Sequence, residues 1–156
     1  MQRVARARCT VEGRVTGEIG AGLLVLLGVA NEDETAEAEW LAQKVAALRI
    51  FNDEARHMNR DVREVGGAFL VIPQFTLYGD ARRGRRPDFT RAARPEHAAP
   101  LFEQFCTALA GTGIGVARGV FQAHMEIELV NDGPVTLMVE TPSRSSDAAL
   151  AEHSSS

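Results

Sequence analysis

Residues 4–12 alternate loosely between apolar and polar side chains, and a turn at Glu12-Gly13 separates them from residues 14–19. That pattern predicts a hairpin. After Gly20-Ala21-Gly22, the run Leu23-Leu24-Val25-Leu26-Leu27-Gly28-Val29 is apolar without interruption, as in a central strand covered on both faces. Ala38, Leu41, Val45 and Leu48 then recur at three- and four-residue spacing, with Trp40 beside them. This predicts an amphipathic helix of about 14 residues. Asp33 or Thr35 is its candidate cap, and Glu34, Glu37 and Glu39 sit in its first turns, where the helix dipole favours negative charge.

The next segments are less regular. Arg49-Ile50-Phe51 reads as a short strand, residues 54–65 carry no assignable period, and Gly66-Gly67 is a turn. Ala68-Phe69-Leu70-Val71-Ile72 is a second buried strand; residues 74–78 continue from it past Pro73. Residues 96–109 read as a second helix with Phe102, Phe105 and Leu109 on one face and Pro95 near its start. Pro100 is expected to kink or divide it. Residues 111–115 form a linker, and residues 116–121 another strand. Met125-Glu126-Ile127-Glu128-Leu129-Val130 alternates, Asn131-Asp132-Gly133-Pro134 is a turn signal, and Val135-Thr136-Leu137-Met138-Val139-Glu140 alternates again, which predicts strand, tight turn, strand. Strands outnumber helices, and helical patterns follow only two of them. The expected fold is α+β: a mixed or antiparallel sheet, or a β-barrel-like core, with two main helices packed outside.

Composition narrows the class. The chain has 156 residues, enough for one domain burying about 68–70% of its unfolded surface. That domain is expected over residues 1–141, with residues 142–156, small and polar and without period, as a disordered tail. A hydrophobic fraction of 45% and a charged fraction of 24% are globular values. No apolar run approaches the roughly 20 residues that span a bilayer, and no signal peptide opens the chain, so no membrane partner is expected. Cys9 and Cys106 share no motif spacing; they read as small buried hydrophobes in a reducing cytoplasm. The net charge of −4 excludes a polycation built to coat nucleic acid.

Three stretches carry candidate chemistry. In Asn131-Asp132-Gly133-Pro134, glycine reaches backbone angles closed to other residues and proline fixes φ, so the turn can hold one carbonyl rigidly; an ordinary surface hairpin tip has the same composition. Pro73-Gln74-Phe75-Thr76-Leu77-Tyr78 follows a buried strand, and amides that leave a ladder are free to point at a ligand. Arg82-Arg83-Gly84-Arg85-Arg86 places four guanidinium groups in five residues, suited either to phosphate contacts or to a solvated basic loop. The four histidines and two cysteines show no metal spacing, and neither a Gly-x-Ser-x-Gly elbow nor a phosphate loop is present. No metal and no cofactor are expected.

Taken together, Gln74-Phe75-Thr76-Leu77-Tyr78, residues 82–87 and Asn131-Asp132-Gly133-Pro134-Val135-Thr136 resemble the D-aminoacyl-tRNA deacylases. The likeness spans about residues 2–140 and includes Gln2-Arg3-Val4, Trp40-Leu41-Ala42, Met58-Asn59 and Met125 to Val130. It implies a cytoplasmic homodimer with the active site at the subunit interface, acting on aminoacyl-tRNA rather than DNA. The ester hydrolysed is that of a D-amino acid, or glycine, on the terminal adenosine. It further implies that Gln74, Phe75 and Thr76 form the catalytic stretch, with the Phe75 and Thr76 amides at the oxyanion. The terminal 2′-hydroxyl helps to activate water, in place of a side-chain base. Gly133-Pro134, joined by a cis bond, enters the partner's pocket and rejects L-amino acids with the Gly133 carbonyl. Arg3, Asn131 and Met125 support that motif, and Arg82, Arg83, Arg85 and Arg86 contact tRNA.

Two departures stand out. The family usually has serine at the position of Pro73; a related animal deacylase that removes L-alanine from threonine tRNA also has proline there, but with Ala after Gln and a trans Gly-Pro. The chain also begins a few residues later than family members usually do, from which either a short first strand or a misplaced start is expected. The competing readings are a relaxed deacylase acting on glycyl and L-alanyl esters, and a non-catalytic tRNA-binding module built on the arginine loop.

Overall fold

The computed structural model describes residues 1–142; most of the stretch expected to be a tail lies outside them. Eight strands and two helices run in the order β1 (Gln2–Val11), β2 (Arg14–Ile19), β3 (Gly22–Leu27), α1 (Thr35–Ala47), β4 (Phe51–Asn52), β5 (Met58–Arg60), β6 (Ala68–Pro73), α2 (Pro95–Ala110), β7 (Gly115–Arg118) and β8 (Glu126–Thr136). β1 pairs antiparallel with β2, β3 and β8, while β3–β6 and β6–β7 are parallel. The mixed sheet, ordered β2-β1-β3-β6-β7 with β8 on β1, curls until it is nearly closed and barrel-like. The expected α+β class with two outer helices holds.

The two apolar strands are covered on both faces, as their unbroken hydrophobicity requires. Leu23, Val25, Leu27, Phe69 and Val71 face Ala42, Val45, Ala46, Phe102, Phe105 and Leu109 of the helices. Leu24, Leu70 and Ile72 point the other way, into the curl, against Val4, Ala7, Cys9 and Ile19. Burying one such side chain contributes about 1.5–3 kcal/mol, so this two-faced core dominates the packing. Both cysteines are buried in it as free thiols, and burial pushes the Cys106 thiol up to about 11.

Several local expectations change. β1 is ten residues long rather than short. Helix α1 is capped at Glu34, not Asp33 or Thr35: the Glu37 carboxylate accepts the Glu34 N–H at 2.8 Å, while Asp33 Oδ2 accepts the Ala30 N–H at 2.8 Å and closes the preceding turn. Helix α2 is one continuous element through Pro100. The carbonyl that Pro100 deprives of a partner belongs to Glu96, an exposed residue in the first turn, so the rest of the helix keeps its ladder. Residues 75–78 leave the sheet as a 3₁₀ turn, Phe75–Tyr78, instead of prolonging β6. β7 stops at Arg118.

The largest correction concerns residues 125–140. They do not fold back as a hairpin. β8 runs as one strand along β1, with Ile127 opposite Cys9, Val130 opposite Arg6, Asn131 opposite Val4 and Thr136 opposite Gln2. Two steps along β1, from Val4 to Gln2, are therefore matched by five along β8, and residues 132–135 are thrown out as a bulge. The ladder resumes beyond it, where the Met1 amine donates to the Leu137 carbonyl at 2.7 Å and the Leu137 N–H to the Met1 carbonyl at 3.0 Å. Turn chemistry was legible in the sequence, but a turn that returns the chain to its own ladder looks like one that reverses it.

Candidate active site: a cavity beside β6 and a braced bulge

Where β6 ends, a cavity of about 580 Å³ opens between the 3₁₀ turn, the start of α2 and the segment leading into β8. This is within the range of small-molecule sites, about 300–1,000 Å³. Leu27, Ile72 and Pro73 at the strand ends form its floor. Phe75 and Phe89 pack edge to face at its mouth, centroids 5.2 Å apart, and Phe75 remains 59% exposed. Phe102 and Phe121 line another wall, their centroids 6.2 Å apart. Gly119 lets the wall close in: a Cβ there would lie 2.8 Å from Met125 Sδ and 2.9 Å from Ile72 Cδ1.

A strap at residues 88–94 roofs one side. It is pinned to the β3–α1 loop by Asn31 N–H to the Arg91 carbonyl at 3.2 Å, Asn31 Nδ2 to the Thr90 carbonyl at 2.7 Å, and Ala93 N–H to the Val29 carbonyl at 2.9 Å. His97 Nε2 donates to the Asp33 carbonyl at 2.7 Å and ties down the first turn of α2. Burial raises the Asp33 carboxyl above its ordinary range. Burial likewise raises the Tyr78 phenol, whose ring lies 5.5 Å from the Arg91 guanidinium carbon.

The 3₁₀ turn sets the backbone at the cavity lip. Gln74 N–H still donates to the Leu27 carbonyl at 2.8 Å, as the last bond of the strand. The Leu77 N–H is the first to close the turn, onto the Gln74 carbonyl at 3.4 Å. The amides of Phe75 and Thr76 fall between these two commitments. Gln74 Nε2 donates to the Thr76 hydroxyl, so the two side chains orient one another.

Arg3, Asn131, Gly133 and Pro134 come together at the β8 bulge instead. Arg3 is 6% exposed and is the buried charged residue of the described core. Its Nε donates to the Asp132 carbonyl at 2.9 Å and its Nη1 to the Ile50 carbonyl at 2.8 Å. The guanidinium also lies over the Phe51 ring, 5.9 Å from its centroid. The Gly133-Pro134 peptide bond is cis, and Gly133 has φ +129°. A Cβ on Gly133 would lie 2.9 Å from Val135 Cγ2 and 3.1 Å from Arg3 Nη2.

The sequence-selected residues therefore divide into three places. Gln74, Phe75 and Met125 line the cavity with Thr76 alongside; Arg3, Asn131, Gly133 and Pro134 form the bulge and do not line that cavity; Arg82, Arg83, Arg85 and Arg86 stand on an exposed loop closed by the Asp80–Asp88 bridge. Arg82 is turned back on its own loop, Nε to Asp80 Oδ1 at 2.8 Å. Sequence reasoning missed Phe89, Arg94, Phe121, Gln122 and His124, all of which line the cavity. Phe89 stands three residues after the basic run, and residues 121–124 directly precede the alternating strand, but no spacing linked either to Gln74. Gln122 holds φ +62° at the lip, a conformation uncommon outside glycine and asparagine. Among the described residues no three His, Cys, Asp or Glu side chains converge as metal ligands, and no helix is long and apolar enough to cross a membrane.

Residues 1–140 match the family described as D-Tyr-tRNA(Tyr) deacylase. A D-aminoacyl-tRNA deacylase of Symbiobacterium thermophilum is 59% identical over 141 residues, covering 90% of this chain and 93% of that protein. One from Deinococcus radiodurans is 57% identical over 140 residues, covering 90% and 97%. Among solved structures, a c-Myc DNA unwinding element binding protein superposes with a TM-score of 0.84 at 37% identity, over 91% of this chain and 97% of that one. A probable eukaryotic D-amino acid tRNA deacylase shares the fold, with a TM-score of 0.73 at 16% identity, over 85% and 92%. With the match running from the first strand to the end of the last, the chain belongs to the D-aminoacyl-tRNA deacylase family.

Proposed function

We propose that this protein hydrolyses the ester joining a D-amino acid, or glycine, to the terminal adenosine of tRNA, and acts in the cytoplasm. The cavity takes the aminoacyl-adenosine end. As the ester carbon becomes tetrahedral, the uncommitted amides of Phe75 and Thr76 donate to its oxyanion, an effect worth about 10²–10³ in rate per donor. The Gln74 amide steers the Thr76 hydroxyl but cannot take its proton, because an amide N–H only donates. With no side-chain base on its hydroxyl, Thr76 ranks below water as the nucleophile, and the water is activated with help from the terminal 2′-hydroxyl.

The observation that carries the stereochemical part is the Arg3 brace on the Asp132 carbonyl. It fixes the residue before Gly133, and the Gly133 carbonyl then stands where an L side chain would project. A D side chain points elsewhere, and glycine has nothing to exclude, so selectivity comes from rejection rather than from a fitted side-chain pocket. Because neither Gly133 nor Pro134 lines the cavity of its own chain, the bulge meets substrate by entering the cavity of a second copy. The working enzyme is accordingly a homodimer with a shared site. Asn131 sets the edge of the bulge opposite Val4, and Met125 lines the cavity just before β8 begins. The loop of Arg82, Arg83, Arg85 and Arg86 holds tRNA through its phosphates, contacts that position without reading sequence.

Purified protein offered D-tyrosyl-, D-aspartyl-, glycyl- and the matching L-aminoacyl-tRNAs should release the D-amino acids and glycine and spare the L-esters. A folded dimer that releases none of the D-amino acids would reject the reading in favour of a binding module without turnover. One observation favours relaxed editing of glycyl and L-alanyl esters instead: Pro73 lines the cavity floor.

A further inference from the structure

Arg94 is the one residue with a permanent charge among those lining the cavity, and no aspartate or glutamate lines it. Its backbone is fixed, since the Arg94 carbonyl accepts the N–H groups of His97 at 3.0 Å and Ala98 at 2.8 Å as α2 begins. Its guanidinium, by contrast, takes part in none of the ion pairs among the described residues. Nearby arginines are committed: Arg91 to the Tyr78 ring, Arg82 to Asp80, Arg118 to Glu103 and Arg3 to the bulge. Arg94 also follows the basic loop along the chain: from the exposed Arg83, Arg85 and Arg86 the backbone runs through the strap and Phe89, at the mouth, to Arg94.

An exposed cationic side chain on a fixed base, at the wall of a largely apolar cavity lined by no carboxylate, is suited to a single anion. The group that enters here under the proposed function is an aminoacyl-adenosine, whose ribose carries one phosphodiester on the 5′ side. We propose that Arg94 binds the phosphate immediately 5′ of the terminal adenosine and so sets how deeply the 3′ end enters the cavity. The inference rests on the cavity being the ester site. Arg94 is a substrate-binding residue in it and takes no part in proton transfer.

The test uses two truncated substrates, 3′-O-D-tyrosyl-adenosine and the same ester bearing a 5′-phosphate, with D-tyrosyl-tRNA alongside. Wild-type protein should show a KM about tenfold lower for the phosphorylated ester at similar kcat, the scale of one charge-assisted contact. Arg94→Gln, which keeps most of the side chain and loses the charge, should erase that preference, and Arg94→Lys should restore part of it. On D-tyrosyl-tRNA, Arg94→Gln should also flatten the dependence of log KM on log salt by about 0.7, the value for one contact to a single strand. That slope decides the matter if the truncated esters turn over too slowly to measure. A phosphate preference that survives Arg94→Gln, its absence in wild type, or an unchanged salt slope would overturn the assignment. A wild-type protein inactive on every D-ester would remove the ester site itself, and this subsite with it.

Discussion

Arg3 and Asp132 lie 129 residues apart, yet Arg3 Nε donates to the Asp132 carbonyl at 2.9 Å while the same guanidinium donates to the Ile50 carbonyl at 2.8 Å. The planar fork bridges two backbone oxygens that diverge, which a single ammonium cannot copy. Arg3→Ala should cost about 2–4 kcal/mol, the loss of two charge-assisted bonds that leaves their carbonyls in place. Arg3→Lys should recover only part of that stability. In both variants the preference for D- over L-tyrosyl-tRNA should fall more than the D-rate does. Denaturant unfolding and paired D/L assays check this, and a variant with full selectivity would show that the bulge holds itself.

Gly133→Ala should impair the enzyme without unfolding it. The position has φ +129°, and a Cβ would press on Val135 Cγ2 and Arg3 Nη2 at 2.9 and 3.1 Å, so the bulge must shift by a few tenths of an ångström. The expected outcome is a fall in kcat of about tenfold or more, as misplacement at a reacting centre brings, with tRNA affinity almost unchanged. Equal losses in binding and turnover would place the bulge in general tRNA contact.

The fold class was legible because β3 and β6 are unbroken apolar runs and because Ala38, Leu41, Val45 and Leu48 keep a helical period. Both are local signals of burial. The course of β8 was not legible: whether Asn-Asp-Gly-Pro reverses a strand or merely interrupts it depends on what lies opposite, here Gln2 to Val4 of β1. The cavity was half legible for the same reason. Gln74 and Phe75 announce themselves as residues leaving a strand, whereas Arg94, Phe121 and His124 are brought to them by the strap and by the approach to β8, and no spacing in the chain encodes that meeting.

Pro73 stands on the cavity floor at the position where the resemblance leads one to expect serine. Pro73→Ser should widen the gap between D-alanyl- and L-alanyl-tRNA hydrolysis by a few-fold, because a hydroxyl replaces a ring in the wall that faces the substrate. Competition between the two esters measures it. An unaltered ratio would leave exclusion wholly to Gly133.

Asp33 offers a test by pH. Burial raises its carboxyl above the usual 3.8, so the folded state holds this proton more tightly than the unfolded chain does. The stability cost is absent well below pH 3.8, grows as pH rises through the window from 3.8 to the raised value, and is complete above it. Asp33→Asn can keep the acceptor for the Ala30 N–H and has no charge to bury. Its melting temperature relative to wild type should therefore climb between pH 3 and pH 6, whereas a flat difference would mean that the carboxylate is well solvated.

Arg82 should behave unlike its neighbours in the basic loop. The Asp80 carboxylate accepts from Arg82 Nε at 2.8 Å and from its backbone N–H at 3.0 Å, and these bonds hold the Asp80 carboxyl far below the usual carboxylate range. A depressed carboxyl stays ionised through all of pH 5–8, and the pair loosens only as pH falls below about 3.8 towards the folded value. Throughout the working range Arg82 is thus already paired at the base of the loop, whereas the equally exposed Arg83, Arg85 and Arg86 take part in none of the ion pairs among the described residues. Replacing Arg85 or Arg86 by alanine should lower the slope of log tRNA affinity against log salt by about 0.7–0.9 each, and Arg82→Ala by clearly less. Asp80→Asn should do the opposite. It releases the Arg82 guanidinium to the phosphates, so tRNA binding should tighten and the salt slope steepen. Binding titrations over a salt series read both effects, and equal slopes for Arg82→Ala and Arg85→Ala would show that the clamp opens when tRNA arrives.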